Sequence, residues 1–241
     1  MPDASTTQSN SRIFDPNLYF LGPPDRVKTL EQPSDIIHHI SSYDVGNGVT
    51  HLAVNNLKAK RRADRTVKVD RDSIVVSVDG AVKDGRAGFG AYFGKSSELN
   101  ISSLAPEKKN QTKELALLLG TAECLKISYE LLILGPSSSP DSTPSESGSR
   151  KTKKKVVIIT DSVYLVKCMA DWIFVWQNKG LQTTKGEMVG NHVEIKGLGE
   201  VCLEVERVGC EIRFWLVEEG GVEDARKLAE QVLADAKEEA G

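Results

Sequence analysis

The sequence predicts an α/β domain, a mixed five-stranded sheet flanked by helices, on three observations. Residues 73–78 (SIVVSV) and 156–160 (VVIIT) are β-branched apolar runs of the kind found in a buried strand, and the second is long enough in apolar character to lie at the centre of a sheet covered on both faces. Each run is closed by an aspartate, Asp79 and Asp161. Between them, Leu115, Leu118, Leu119, Ala122 and Leu125 share one apolar face of a helix over 112–127.

The elements follow in order. Residues 1–12 are polar and small-residue rich, a disordered tail. Residues 13–72 form an N-terminal extension of unassigned role, in which Phe14, Tyr19, Ile36, Ile37, Ile40, Val49 and Leu52 suggest short ordered pieces without a clear period. It ends in a basic linker (Lys58, Lys60, Arg61, Arg62, Arg65, Lys68, Arg71), which places the main domain at 73–237. Strands at 88–94 and 99–104 join the first through short Gly-rich turns, as antiparallel hairpins do. After the helix, residues 135–155 are too polar to bury and read as a flexible insertion. The strand at 156–160 leads into a helix with Val163, Val166, Met169, Ala170 and Ile173 inward, then a strand at 211–217 and a helix over 222–237. The order is β-β-β-α-β-α-β-α.

Composition narrows the function classes. A chain that is 39% hydrophobic is not a disordered one, and its apolar runs are far shorter than the roughly 20 residues of a membrane-spanning helix. No secretory or transit signal is visible, so an intracellular protein is expected, with nucleus and cytoplasm undistinguished. No two of the four cysteines have the two-residue spacing of a zinc knuckle or redox pair, and buried thiols are the expectation. A net charge of -3 argues against a surface that grips nucleic acid all over. The basic runs at 58–71 and 150–155 are either phosphate contacts or solvated flanks of buried strands.

Asp79 and Asp161, at the ends of neighbouring strands, and Glu114, in the first turn of the intervening helix, are placed to converge at one sheet edge. Converging carboxylates repel unless protonated or bridged by a cation, and oxygen-only ligands favour Mg²⁺ or Mn²⁺. Two such ions about 3.5–4 Å apart activate water and stabilise the leaving oxygen in phosphodiester cleavage.

At these residues the chain resembles the type 1 ribonuclease H domain, in a divergent, fungal-like form, over about residues 73–235. The segments that carry the likeness are IVVSVDGAV with GRAGFGAYFG, NQTKELALLLGTAECL, VVIITDSVYLV, WIFVWQNKGLQTTKGEMVGN and EIRFWLV…DARKLA. The resemblance implies a metal-dependent endonuclease that cuts the RNA strand of RNA:DNA hybrids with two ions, Mg²⁺ or Mn²⁺, held by Asp79, Glu114 and Asp161. Glu123 competes with Glu114, because only Lys113 separates Thr112 from the glutamate. Thr112 and Asn191 fall where the family builds a phosphate pocket for the DNA strand, and Trp172 and Trp176 resemble its substrate-flanking aromatics. Asn191 is equally placed to cap a segment starting at His192, and the two tryptophans, four apart, to share a core-facing helix side.

The family's fourth carboxylate is replaced by Arg226, with Glu223 one helical turn earlier as the candidate substitute ligand. That reversal sets up an alternative reading, a catalytically inactive domain serving nucleic-acid binding or protein interaction. A 3′-to-5′ exonuclease of the wider superfamily ranks below both, because the tryptophans and the Asn-Lys-Gly turn match the endonuclease. A monomer with a hybrid as partner and no membrane association is expected. Deleting residues 136–150 should leave a single cooperative thermal transition, since the segment offers the core almost nothing and loop-closure entropy varies slowly with length. A calorimetric scan of the deletion variant checks this.

Overall fold

The computed structural model describes residues 12–19, 33–54, 68–107, 110–134 and 153–238. The expected tail up to residue 11, most of the basic linker and residues 135–152 of the insertion lie outside them.

Strands β1 (Ser41–Asp44), β2 (Val49–Val54), β3 (Lys68–Lys83), β4 (Arg86–Tyr92), β5 (Ile101–Leu104), β6 (Lys155–Thr160) and β7 (Glu211–Leu216) form one sheet. The five expected strands are β3 to β7. β3 is antiparallel to β4 and parallel to β6, while β4 pairs with β5 and β6 with β7. The other two strands correct the five-strand expectation. Val75 is flanked by Thr50 and Val157, and Ser77 by Tyr92 and Ile159, so β2 and β4 occupy the same edge of β3 in succession. The boundary expected at residue 73 therefore falls inside a strand. It was hidden because the first five residues of β3, KVDRD, are charged and mostly half-buried, with no apolar alternation to announce them.

Helices are α1 (Pro33–Ile40), α2 (Lys113–Tyr129), α3 (Val163–Lys167), α4 (Ile173–Gln177), α5 (His192–Arg207) and α6 (Glu223–Glu238). A wider π turn over Cys168–Trp172 joins α3 to α4. The helix α5 was not in the expected order. Its HVEIKGLGEVCLEVER sequence carries two glycines and several valines, poor helix formers, and it stands on packing: Ile195, Leu198, Cys202 and Val205 recur at helical spacing and are buried.

One face of the sheet meets α2 to α5 in the larger core, built on Ile74, Val76, Val78, Val156, Ile158 and Phe214. The other face buries Val75, Val157, Ile159 and Trp215 with Ile40, Leu52 and Phe14 from the N-terminal extension. Residues 12–14 also close the edge of β7. The Phe14 N–H donates to the Phe214 carbonyl (2.9 Å), and the Phe214 N–H donates to that of Arg12 (2.6 Å). Arg12, 5% exposed, fastens this strap through a two-pronged ion pair to Glu206.

Glycines set how near the helices come. A Cβ on Gly90 would lie 2.1 Å from the Ala225 carbonyl oxygen, and one on Gly80 2.9 Å from that of Lys113. Backbone of α6 and α2 thus rests directly on β4 and β3. Gly90→Ala should cost about 3 kcal/mol, because backbone cannot step aside as a side chain does. Gly197→Ala, in α5 with open space where its Cβ would go, should be neutral or stabilising by up to about 1 kcal/mol. Urea denaturation of both variants measures the contrast.

Candidate functional site

The parallel pairing of Ser77 with Ile159 carries the chain two residues further in both strands to Asp79 and Asp161, which therefore lie side by side on one face. Asp79 is fully buried. Asp161 sits at the bend after β6, where Thr160 Oγ1 accepts from the Ser162 N–H and Ser162 caps α3 by accepting from the Leu165 N–H. The Thr-Asp-Ser sequence is thus a local device that turns the chain and presents the carboxylate.

Two cations meet this pair. Arg226 donates from Nε to Asp79 Oδ2 at 2.9 Å and from Nη2 to Asp161 Oδ2 at 2.5 Å. Lys113 Nζ lies 2.8 Å from Asp79 Oδ1 and 3.8 Å from Asp161 Oδ1. The Gly80 N–H donates to Asp79 Oδ1 as well. Burial raises the Asp161 pKa, Asp79 adds to the rise, and Lys113 and Arg226 oppose it. The hydrogen bond to Asp79 makes the Arg226 proton still harder to remove.

The expected cluster of three carboxylates is not what the structure brings together. Lys113 and Glu114 are the first two residues of α2, about 100° apart on the helix, and it is Lys113 that faces the aspartates. Glu114 instead lines a cleft of about 790 Å³ with Asn110, Gln111, Thr112, Tyr164 and Asn191. Among the described residues no group of three His, Cys, Asp or Glu side chains is placed to hold a metal ion. Three of the four oxygens of Asp79 and Asp161 already accept from nitrogen within 3 Å. This donor set does not fit a pair of divalent ions. Glu223, 52% exposed, stands outside Arg226 at 4.0 Å from its Nη1, so the arginine holds the inner position.

Thr112 caps α2, its Oγ1 accepting from the Leu115 N–H at 3.1 Å, and also lines the cleft. The side chain of Asn191 makes no cap; it lines the cleft with Tyr164, while its backbone carbonyl accepts from the Ile195 N–H. Burial pushes the Tyr164 hydroxyl up to about 12. Trp172 and Trp176 touch, with centroids 5.4 Å apart. Trp172 is exposed and meets the edge of Tyr164, whereas Trp176 packs on the core. The sequence reading missed Tyr164 and the inward turn of Lys113; the Thr-Lys-Glu spacing was the visible sign of the second.

No protein-family model matches the chain. Ribonuclease H1 of Rattus norvegicus is 26% identical over 136 residues, 54% of this chain and 40% of that protein. The Homo sapiens Ribonuclease H1 is 26% identical over 171 residues, 66% of this chain and 50% of that protein. The chain thus spans half or less of these relatives. Ribonuclease H of Pelobacter propionicus is 51% identical over 37 residues, 15% of this chain and 23% of that protein. Among solved structures, the PFV RNase H domain aligns with a TM-score of 0.45 at 20% identity, over 66% of this chain and 92% of that one.

Arg226→Met should destabilise the fold by about 3 kcal/mol, the low end for breaking a buried ion pair, because Lys113 still partners Asp79. Without the guanidinium the Asp161 pKa rises further. The folded state then holds its proton more tightly than the unfolded one, so stability falls as pH rises through that window. The deficit should be larger at pH 8 than at pH 5, as thermal melts at the two values will show.

Proposed function

We propose, from the premise that this chain carries a ribonuclease H-like domain of type 1, that it acts on RNA:DNA hybrids as an endoribonuclease whose hydrolysis is held down by its own cations. The observation that carries this reading is the placement of Asp79 and Asp161 side by side next to the cleft of Thr112, Glu114, Tyr164 and Asn191. An open cleft that presents Asn110, Gln111, Thr112 and Asn191 suits a nucleic-acid backbone, and Trp172 at its flank suits a sugar or base face. An enzyme with this substrate must tell ribose from deoxyribose by the 2′-hydroxyl, which donates and accepts.

The family resemblance implies Mg²⁺ or Mn²⁺, and these residues as arranged do not fit the ions. Cleavage then requires Arg226 to leave both carboxylates. A cost of about 3 kcal/mol for that displacement corresponds to roughly a hundredfold loss of rate. A second reading, binding without cutting, is favoured by the same four-membered ion-pair cluster.

With labelled hybrid and Mg²⁺ or Mn²⁺, slow cleavage of the RNA strand is expected, and Arg226→Asp should accelerate it by up to about a hundredfold. Glu223→Gln should have little effect, since Glu223 stands outside the cluster. If neither the natural protein nor Arg226→Asp cuts at high concentration, the enzymatic reading falls and the binding reading replaces it.

A further inference from the structure

The four charged side chains at the site are not equally accessible. Side-chain exposure is 0% for Asp79 and 10% for Asp161, against 24% for Arg226 and 42% for Lys113. The carboxylates are the floor of the cluster and the cations are its solvent face. Resting on the reading of the chain as a hybrid-directed domain, we infer that Lys113 and Arg226 take the place of divalent ions in receiving the nucleic acid. The site is then a metal-independent receptor for a backbone phosphodiester.

An all-carboxylate site repels phosphate until ions bind, because like charges a few ångströms apart near a protein surface are poorly screened. Here two negative and two positive charges cancel within the cluster. Donor capacity remains after they do. The Lys113 ammonium has three N–H groups and one close contact, to Asp79. The Arg226 guanidinium has five and commits Nε and Nη2 to the aspartates, leaving Nη1, whose nearest acid is Glu223 at 4.0 Å. Glu223 is half exposed and Glu219 lies near Asp161, so the cationic face is tempered rather than strong. A divalent ion, by contrast, meets the two cations before it reaches Asp79 or Asp161.

Two measurements on the full chain test this. Without nucleic acid, titration with Mg²⁺ or Mn²⁺ to millimolar concentration should give no saturable heat and no rise in Tm. With a fluorescent RNA:DNA hybrid at fixed ionic strength, anisotropy should give the same Kd within about twofold in EDTA and in Mg²⁺, with duplex DNA as the comparison probe. Lys113→Gln should weaken hybrid binding several-fold and lower the slope of log Kd against log salt by about one, whereas Lys113→Arg should retain both.

Binding lost in EDTA, together with a saturable Mn²⁺ site, overturns the inference and leaves the hybrid reading standing. Absence of hybrid binding in either buffer overturns the hybrid reading and this one with it. Should Lys113→Gln fail to fold, the two wild-type measurements and Lys113→Arg decide the matter.

Discussion

Two carboxylates held side by side in a buried sheet must be neutralised, and most of the site follows from how this chain does it. The register of β3 against β6 leaves Asp79 and Asp161 no choice of position; Asp79 has no contact with water and Asp161 little with which to spread its charge. Removing a carboxylate from water without a partner costs several kcal/mol. The partners come from two helices on different sides of the strand end, Lys113 from α2 and Arg226 from α6. Each is brought within reach because glycine in the facing strand lets helix backbone settle on the sheet.

The two cations are not equivalent. Arg226 bridges both aspartates with a planar fork, so one side chain fixes their separation and ties α6 to β3 and to the end of β6. Lys113 offers a point charge on a flexible stem, close to Asp79 and farther from Asp161, and is the more exposed of the two. The arginine is therefore the structural member of the cluster and the lysine the adaptable one. That division places the cost of disassembly mainly on Arg226.

Much of this was legible in the sequence, and the reasons for the rest are physical. The runs leading to Asp79 and Asp161 are continuous and β-branched, so both strands could be read, but β3 runs on past Asp79 to Lys83, so this aspartate lies within the ladder and not at the strand end the sequence suggested. The sign of residue 226 could be read too. What could not be read was rotation: one helix residue decides whether Lys113 or Glu114 faces the sheet, and pattern alone does not resolve a step of about 100° when both flank the same cap. β1 and β2 escaped notice because β1 is only four residues long and β2, its partner, pairs with a charged stretch of β3. The helix α5 escaped because packing overrides its weak local propensity. The four cysteines raise no such difficulty: all are buried, and burial is the largest cause that pushes each thiol up.

Metal-free stability and metal-dependent chemistry oppose each other in this architecture. An acid at position 226 would face Asp79 and Asp161 across the space the guanidinium now fills, replacing two attractive contacts with two repulsive ones. Such a chain can regain its stability only from an ion, by mass action, about 2.7 kcal/mol when the ion is at a hundred times its dissociation constant. The present chain has neutralising charge built in, through Arg226 and Lys113. The same contacts that make it independent cover the oxygens a reaction would need. A fold that keeps Arg226 carries the neutralising charge in its sequence, and any hydrolysis it performs must first part that guanidinium from both aspartates.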